Sequence, residues 1–212
     1  MPLVPAQQPL VPARQFVKQI TDLQRDAVCR WHDVGVENPY QGFLGTVCEQ
    51  HQYNYLLWHE EDVARSPHVG DERIAQVKRA IDGFNQSRND AIERLDETLA
   101  ALLTAAGVVS QAGARLNTET PGSAIDRLSI MSLRIYHLEE QAARPDVDQS
   151  HRQKVGERLA RCRVQHADLS ASLGELIAEL YSGRKLLKIY RQMKMYNDPT
   201  LNPYLYRTRM SA

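Results

Sequence analysis

"DERIAQVKRAIDGFNQSRNDAIERLDETLAALLTA", residues 71–105, is one uninterrupted helical pattern. Ile74, Val77, Ile81, Phe84, Ile92, Leu95, Leu99 and Leu102 form an apolar stripe at helical spacing, with no proline among them. At 1.5 Å per residue such a helix is about 50 Å long. That is long for a chain of 212 residues. It calls for an elongated bundle of helices, or for helices that pair across a dimer.

The flanking sequence reads the same way. Phe16, Ile20, Leu23 and Ala27 mark a first helix from about Arg14 to Arg30. Thr46, with Glu49 three residues on, reads as a capping box for a second helix that Pro67 ends. Thr120-Pro121 opens a fourth helix, with a capping hydroxyl and then proline at the first helical position; Pro145 stops it. A fifth runs from about Ser150 to Tyr181 and continues to Tyr196, with a weak point at Gly183. No stretch alternates with the period of two that a strand needs. The expected fold is all-α: an elongated antiparallel bundle of about five helices over residues 14–196. A proline-rich extended arm (1–13) precedes it and an extended tail (197–212) follows it.

The bulk composition narrows the function classes. The chain is 42% hydrophobic and 25% charged, as an ordinary soluble domain is. Lys plus Arg and Asp plus Glu both number 26, so no global attraction to nucleic acid is expected. The three cysteines are scattered and odd in number, which argues against a disulfide framework or a cysteine zinc site. No apolar run approaches a membrane span, and the arm lacks the layout of a secretory signal. The expected compartment is a reducing cytoplasm.

The least ordinary stretch is "HQYNYLLWHEEDVARSP", residues 51–67. On a helical wheel His51, Asn54, Tyr55, Trp58, Asp62 and Arg65 share one arc. The opposite arc holds Tyr53, Leu56, Leu57, Glu60, Val63 and Ala64. Both sides carry residues that prefer burial, so this helix is expected in the centre of the bundle with a polar face inward. The third helix answers with a polar stripe of Asp82, Asn85, Asn89, Glu93 and Asp96, and Arg88 projects from within its apolar stripe. Buried polar groups must be paired, and the natural pairs are Arg65 or Arg88 with Asp62, Asp82 or Glu93. Asp126 of the fourth helix, on the same side as Ser129, Leu133 and His137, is a further polar partner. The set is either a closed network that fixes helix register or the lining of a pocket. A metal site built on His51, His59, Asp62 or Glu93 is the minority reading, because the helix lacks H-E-x-x-H. No metal and no cofactor is therefore expected.

Two other stretches carry chemistry. In "ETPGSAID", Thr120, Gly122 and Ser123 sit at a helix N-terminus, where free backbone N–H groups and the helix dipole can hold an anion; the plainer alternative is a capping motif. "GRKLLKIYRQMKMY" holds Arg184, Lys185, Lys188, Arg191 and Lys194 and no acid. As a basic amphipathic helix it would make a weak contact with an anionic membrane surface, or simply pack on the bundle.

"HQYNYLLWHEEDVAR", "IDGFNQSRNDAIERLD" and "ETPGSAIDRLSIMSLRIYHLEEQ" together resemble the uncharacterised bacterial family DUF4254, over roughly residues 15–145. The resemblance implies a helical, cytosolic protein encoded among cell-surface glycan and glycosyltransferase genes. It brings no catalytic residues with it.

Three function classes stay open. The first is an accessory or interaction protein of surface-glycan assembly, acting as a homo-oligomer (a dimer) with a protein partner. The second is an enzyme or binding protein with a pocket between helices 2, 3 and 4 for an anionic small molecule, a nucleotide-sugar or another phosphate-bearing compound. The third is a metal-dependent phosphohydrolase, supported by only half of a carboxylate motif, Glu93-x-x-Asp96. No P-loop, nucleophile elbow or Cys/His nucleophile pattern is present.

Overall fold

The stripe at residues 71–105 is a single helix in the computed structural model, which describes residues 12–192, 195 and 198–205. The elements are α1 (Ala13–Val34), α2 (Gly42–Ala64), α3 (Asp71–Ala105), β1 (Arg115–Leu116), α4 (Pro121–Ala143), α5 (Gln149–Tyr181) and β2 (Lys185–Leu186). The fold is an all-α helical bundle. α2 and α3 pack as one hairpin, α4 and α5 as another, and α1 lies against both α4 and α5. The short connections at 65–70 and 144–148 fold α3 back on α2 and α5 back on α4. The expected arm at 1–13 falls almost entirely outside the described residues.

Five helices contribute to one core. Ile20 and Trp31 of α1, Val47 of α2, Leu95 and Leu99 of α3, Ile125 and Leu128 of α4, and Leu173 and Ile177 of α5 are all buried in it. Such side chains are each worth about 1.5–3 kcal/mol when fully removed from water. A second, smaller cluster joins Leu57 of α2 to Val77 and Ile81 of α3. α2 therefore packs on two sides, as its wheel requires: Val47, Cys48 and Tyr55 enter the main core and Leu57 the second cluster.

Three boundaries differ from the sequence reading. α1 runs on to Val34 and ends at Gly35, because Trp31 buries its ring and donates its indole N–H to the Glu37 carbonyl (2.9 Å), which ties the following loop beneath the helix. α2 starts at Gly42, not Thr46; Thr46 lies inside the helix and returns its hydroxyl to the Gly42 carbonyl (3.4 Å). α5 ends at Tyr181. Gly183 adopts φ +72, and the Arg184 N–H reaches back to the Glu179 carbonyl (2.9 Å), which terminates the helix with a left-handed glycine. A Cβ at Gly183 would lie 2.3 Å from the Val109 carbonyl oxygen, so the α3–α4 connection closes on the glycine itself.

Over its described residues, the segment after Gly183 is consequently not the basic amphipathic helix expected over 184–196. Lys185 and Leu186 pair in parallel with Arg115 and Leu116, and the described part of the segment beyond, through Gln192, is irregular. Lys194 lies outside the described residues. In the tail, residues 203–205 form one helical turn instead of an extended run.

Candidate functional site

α4 carries the residue around which the polar face of α2 is organised. Asp126 is 5% exposed and stands one turn into α4. Its Oδ1 accepts from the Gln50 amide (2.6 Å), the Asn54 amide (2.9 Å) and Arg88 Nε (2.7 Å), while its Oδ2 accepts from Arg88 Nη2. The guanidinium thus grips the carboxylate with two parallel bonds, the geometry that best compensates a desolvated pair. Asp126 raises the pKa of Arg88 further, through the hydrogen bond, against a lowering by burial.

A second layer continues inward. Asn54 also donates to Ser129 Oγ (2.8 Å), and Ser129 Oγ meets His51 Nδ1 at 2.7 Å. Burial pushes the His51 imidazole down to about 3, partly opposed by the Gln24 backbone carbonyl. His51 is therefore neutral at ordinary pH. Ser129 Oγ accepts from Asn54, and which of Ser129 and His51 Nδ1 donates to the other follows the tautomer of the ring. Ser129 and His51 are both fully buried. A serine with a histidine beside it is a nucleophile arrangement only where a substrate can reach it, so this pair is structural.

Outside this network lies a cleft of about 420 Å³ between α2, α3 and α4. Leu57, Ile130 and Leu133 make its apolar wall. Trp58, half-buried, and the amides of Asn54 and Asn85 face it with Arg88, while Glu61, Asp62 and Arg65 reach its rim. Asp126 is held behind Arg88 and does not line it. The cleft is close to balanced in charge: two arginines and two acids line it, and each arginine already has a carboxylate. Arg65 binds Glu61 at 2.9 Å with both side chains largely in solvent.

The sequence-derived set thus divides. Asn54, Trp58, Asp62, Arg65, Asn85 and Arg88 meet at the cleft, with Asp126 directly behind. His51 sits deeper, inside the core. Asp82 turns away to pair with Lys78 one turn back. Glu93 also leaves the site: it accepts from Arg191 Nη1 (2.9 Å) and the Gln192 N–H (2.8 Å), with Glu97 gripping the same guanidinium. Asn89 is half-buried on α3 and is not among the cleft residues. Of the expected ion pairs, Arg88 takes Asp126 instead of Asp62, Asp82 or Glu93.

The helix N-terminus at Thr120, Gly122 and Ser123 is occupied from within. Asp96 of α3 accepts the Gly122 N–H at 2.7 Å, and Thr120 caps the Ser123 N–H at 3.2 Å. The chain supplies its own anion to the α4 dipole. Burial raises the Asp96 pKa, opposed by its bonds to the Thr120 hydroxyl and the Gly122 N–H. A Cβ at Gly122 would meet the Ile92 carbonyl at 2.6 Å, so α3 and α4 touch at this glycine.

Gln50 and Ser129 were missed as network members. Gln50 stands one turn before Asn54 on the same arc, so its polar amide in a central helix was the available signal. Ser129 stands three residues after Asp126, and only the tertiary contact distinguishes it from an ordinary small residue on a helix face.

The family model described as "Protein of unknown function (DUF4254)" matches residues 44–189. The match begins inside the first turn of α2 and runs past β2, and so includes every residue of the network and the cleft. No curated protein and no solved structure matches the chain.

Proposed function

The chain belongs to the DUF4254 family, and for it we propose a binding function: the cleft between α2, α3 and α4 takes a polar, sugar-bearing small molecule. The observation that carries this is the meeting of Trp58 with the planar polar groups of Asn85, Asp62 and Arg88 in a cleft of about 420 Å³. A sugar ring offers a C–H face to an aromatic surface and pairs of hydroxyls to amide, carboxylate and guanidinium edges. Sites of this size and mixed lining are where small ligands are held. The balanced charge favours a neutral sugar unit over a bare phosphate. Arg88 remains the group that would meet a phosphate carried by the same ligand. A binding protein fits an accessory role in cytoplasmic surface-glycan assembly, the setting that the family resemblance implies.

The test is fluorescence titration of the full chain with neutral sugars, nucleotide-sugars and inorganic phosphate. There are two tryptophans; Trp31 is buried at 2% exposure, so Trp58 is the responsive one. A saturable change with a sugar or nucleotide-sugar is expected. Affinity measured by calorimetry should be about tenfold weaker in Trp58→Phe or Asp62→Asn, about 1.4 kcal/mol, with thermal stability retained. A response to none of the sugars, or one equal in both variants, removes the cleft as the site.

A further inference from the structure

On the far side of Trp58 from the cleft three histidines converge from three helices: His32 of α1, His59 of α2 and His137 of α4. One ring nitrogen of each lies within 4.8 Å of those of the other two. Two of the rings have defined proton positions. His32 Nδ1 is 2.7 Å from the Val28 carbonyl and His137 Nδ1 is 2.7 Å from Glu140 Oε2. Both partners only accept, so both Nδ1 atoms carry the proton, and Nε2 is left as the free coordinating atom. The Nε2 atoms of His32, His59 and His137 are all buried and, among the described residues, have no hydrogen-bond partner.

That arrangement is unfavourable for a closed polar core, where buried nitrogens find partners. Three protonated rings at this separation would repel one another. Neutral His32 and His137 turn Nε2 lone pairs toward each other, and His59 Nε2 makes no hydrogen bond to either. A cation resolves both problems. Imidazoles that ligate metals usually give their other N–H to a backbone carbonyl or a carboxylate, which orients the ring and raises its basicity; Val28 and Glu140 do this here. The rings are also braced by neighbours. Tyr136 stacks on His32 (4.3 Å between centroids, 20°) and Trp58 on His137 (4.8 Å, 12°), with the Tyr55 edge against His59 (4.4 Å, 64°).

We propose that His32, His59 and His137 form a divalent transition-metal site, zinc being the first candidate, with three Nε2 ligands and the fourth position left to water or to an oxygen of a bound molecule. Three-histidine sets with one open position are the pattern of zinc sites that polarise a ligand oxygen. Nitrogens bound to one tetrahedral zinc at 2.0–2.1 Å lie about 3.3 Å apart, so the widest pair must close by about 1.5 Å, within the reach of small side-chain rotations. The site would pin the end of α1 to α2 and α4. It stands whether or not the cleft binds a sugar, since its ligands do not line the cleft.

The experiment is titration of chelator-treated full-length chain with Zn²⁺ by calorimetry and with Co²⁺ by visible absorption. One equivalent is expected to bind, with the intense absorption of tetrahedral Co²⁺, and Zn²⁺ should raise the melting temperature. His59→Ala and His137→Ala should each weaken binding by about 100-fold or more, while His68→Ala, at an exposed position, should leave it unchanged. X-ray absorption at the zinc edge of the wild-type protein should show imidazole ligation, which decides the question even if a variant fails to fold. Absence of one-equivalent binding by the wild type, binding equal in His59→Ala and wild type, or an absorption edge without imidazole overturns the proposal.

Discussion

Asp126 shows how one residue sets the demands on its neighbours. Four donor contacts converge on its carboxylate, and Arg88, with its side chain 24% exposed, depends on it for charge balance. Removing the charge leaves a half-buried guanidinium without its partner. Asp126→Asn should cost about 3 kcal/mol in urea unfolding, the low end for a broken buried pair because Arg88 keeps some water. Arg65→Ala should stay within about 0.5 kcal/mol, since its pair with Glu61 is exposed. His51 controls the acid side. Its folded pKa is depressed, to about 3, below the ordinary 6.5, so between these values the unfolded chain binds a proton that the folded chain refuses. Its contribution to stability is intact above pH 6.5 and is lost as pH falls towards 3. Unfolding free energy measured from pH 7 to pH 4 should therefore drop more steeply in the wild type than in His51→Gln. Asp96, raised by burial, acts with the opposite sign: its ionised form is the disfavoured one in the fold, so protonation on acidification relieves a cost.

At the scale of elements, helix ends decide which residues can meet. The additional turn of α1 past Arg30 brings His32 to α2 and α4, and Trp31 Nε1 anchors the loop that follows. The stop at Gly183 has the opposite effect. It converts a potential basic helix into a strap whose Lys185 and Leu186 pair with β1 and whose Arg191 is held by Glu93 and Glu97 of α3. Gly183→Ala forces a Cβ against the Val109 carbonyl at a positive φ. It should release the strap before it unfolds the bundle. Limited trypsin digestion should then cut at Lys185 and Lys188 many-fold faster than in the wild type, while far-ultraviolet circular dichroism stays close to it. Equal cleavage rates would show that the strap is held by something other than this turn.

For the whole molecule, the two hairpins are joined along the line where α2 and α3 meet α4, and the polar residues lie along that line. Asp126 binds α2 and α3 at one level; Asp96 binds the start of α4 at another. These contacts fix the sliding register of helices whose apolar stripes would tolerate a shift of one turn. The cleft opens on the same line beyond the network, which is why rigid polar groups surround it. The histidine triad lies where α1 closes over the other end of Trp58.

Read without a structure, the chain specifies its helices, its central two-sided α2 and the polar faces of α2 and α3, because helical periodicity and proline punctuation are local. Asp126 was legible as a partner through its side of α4, and the capping role of Thr120 through the Thr-Pro pair. What only the tertiary structure decided is which charges meet. Arg88 pairs with Asp126 and not with Asp62, Asp82 or Glu93, Asp96 takes the helix end that could hold an outside anion, and Glu93 binds a segment about a hundred residues away. The three histidines, at 32, 59 and 137, share no spacing, so no motif announces them. Pairing is a property of distance in space, and side chains on different helices acquire that distance only when the bundle closes.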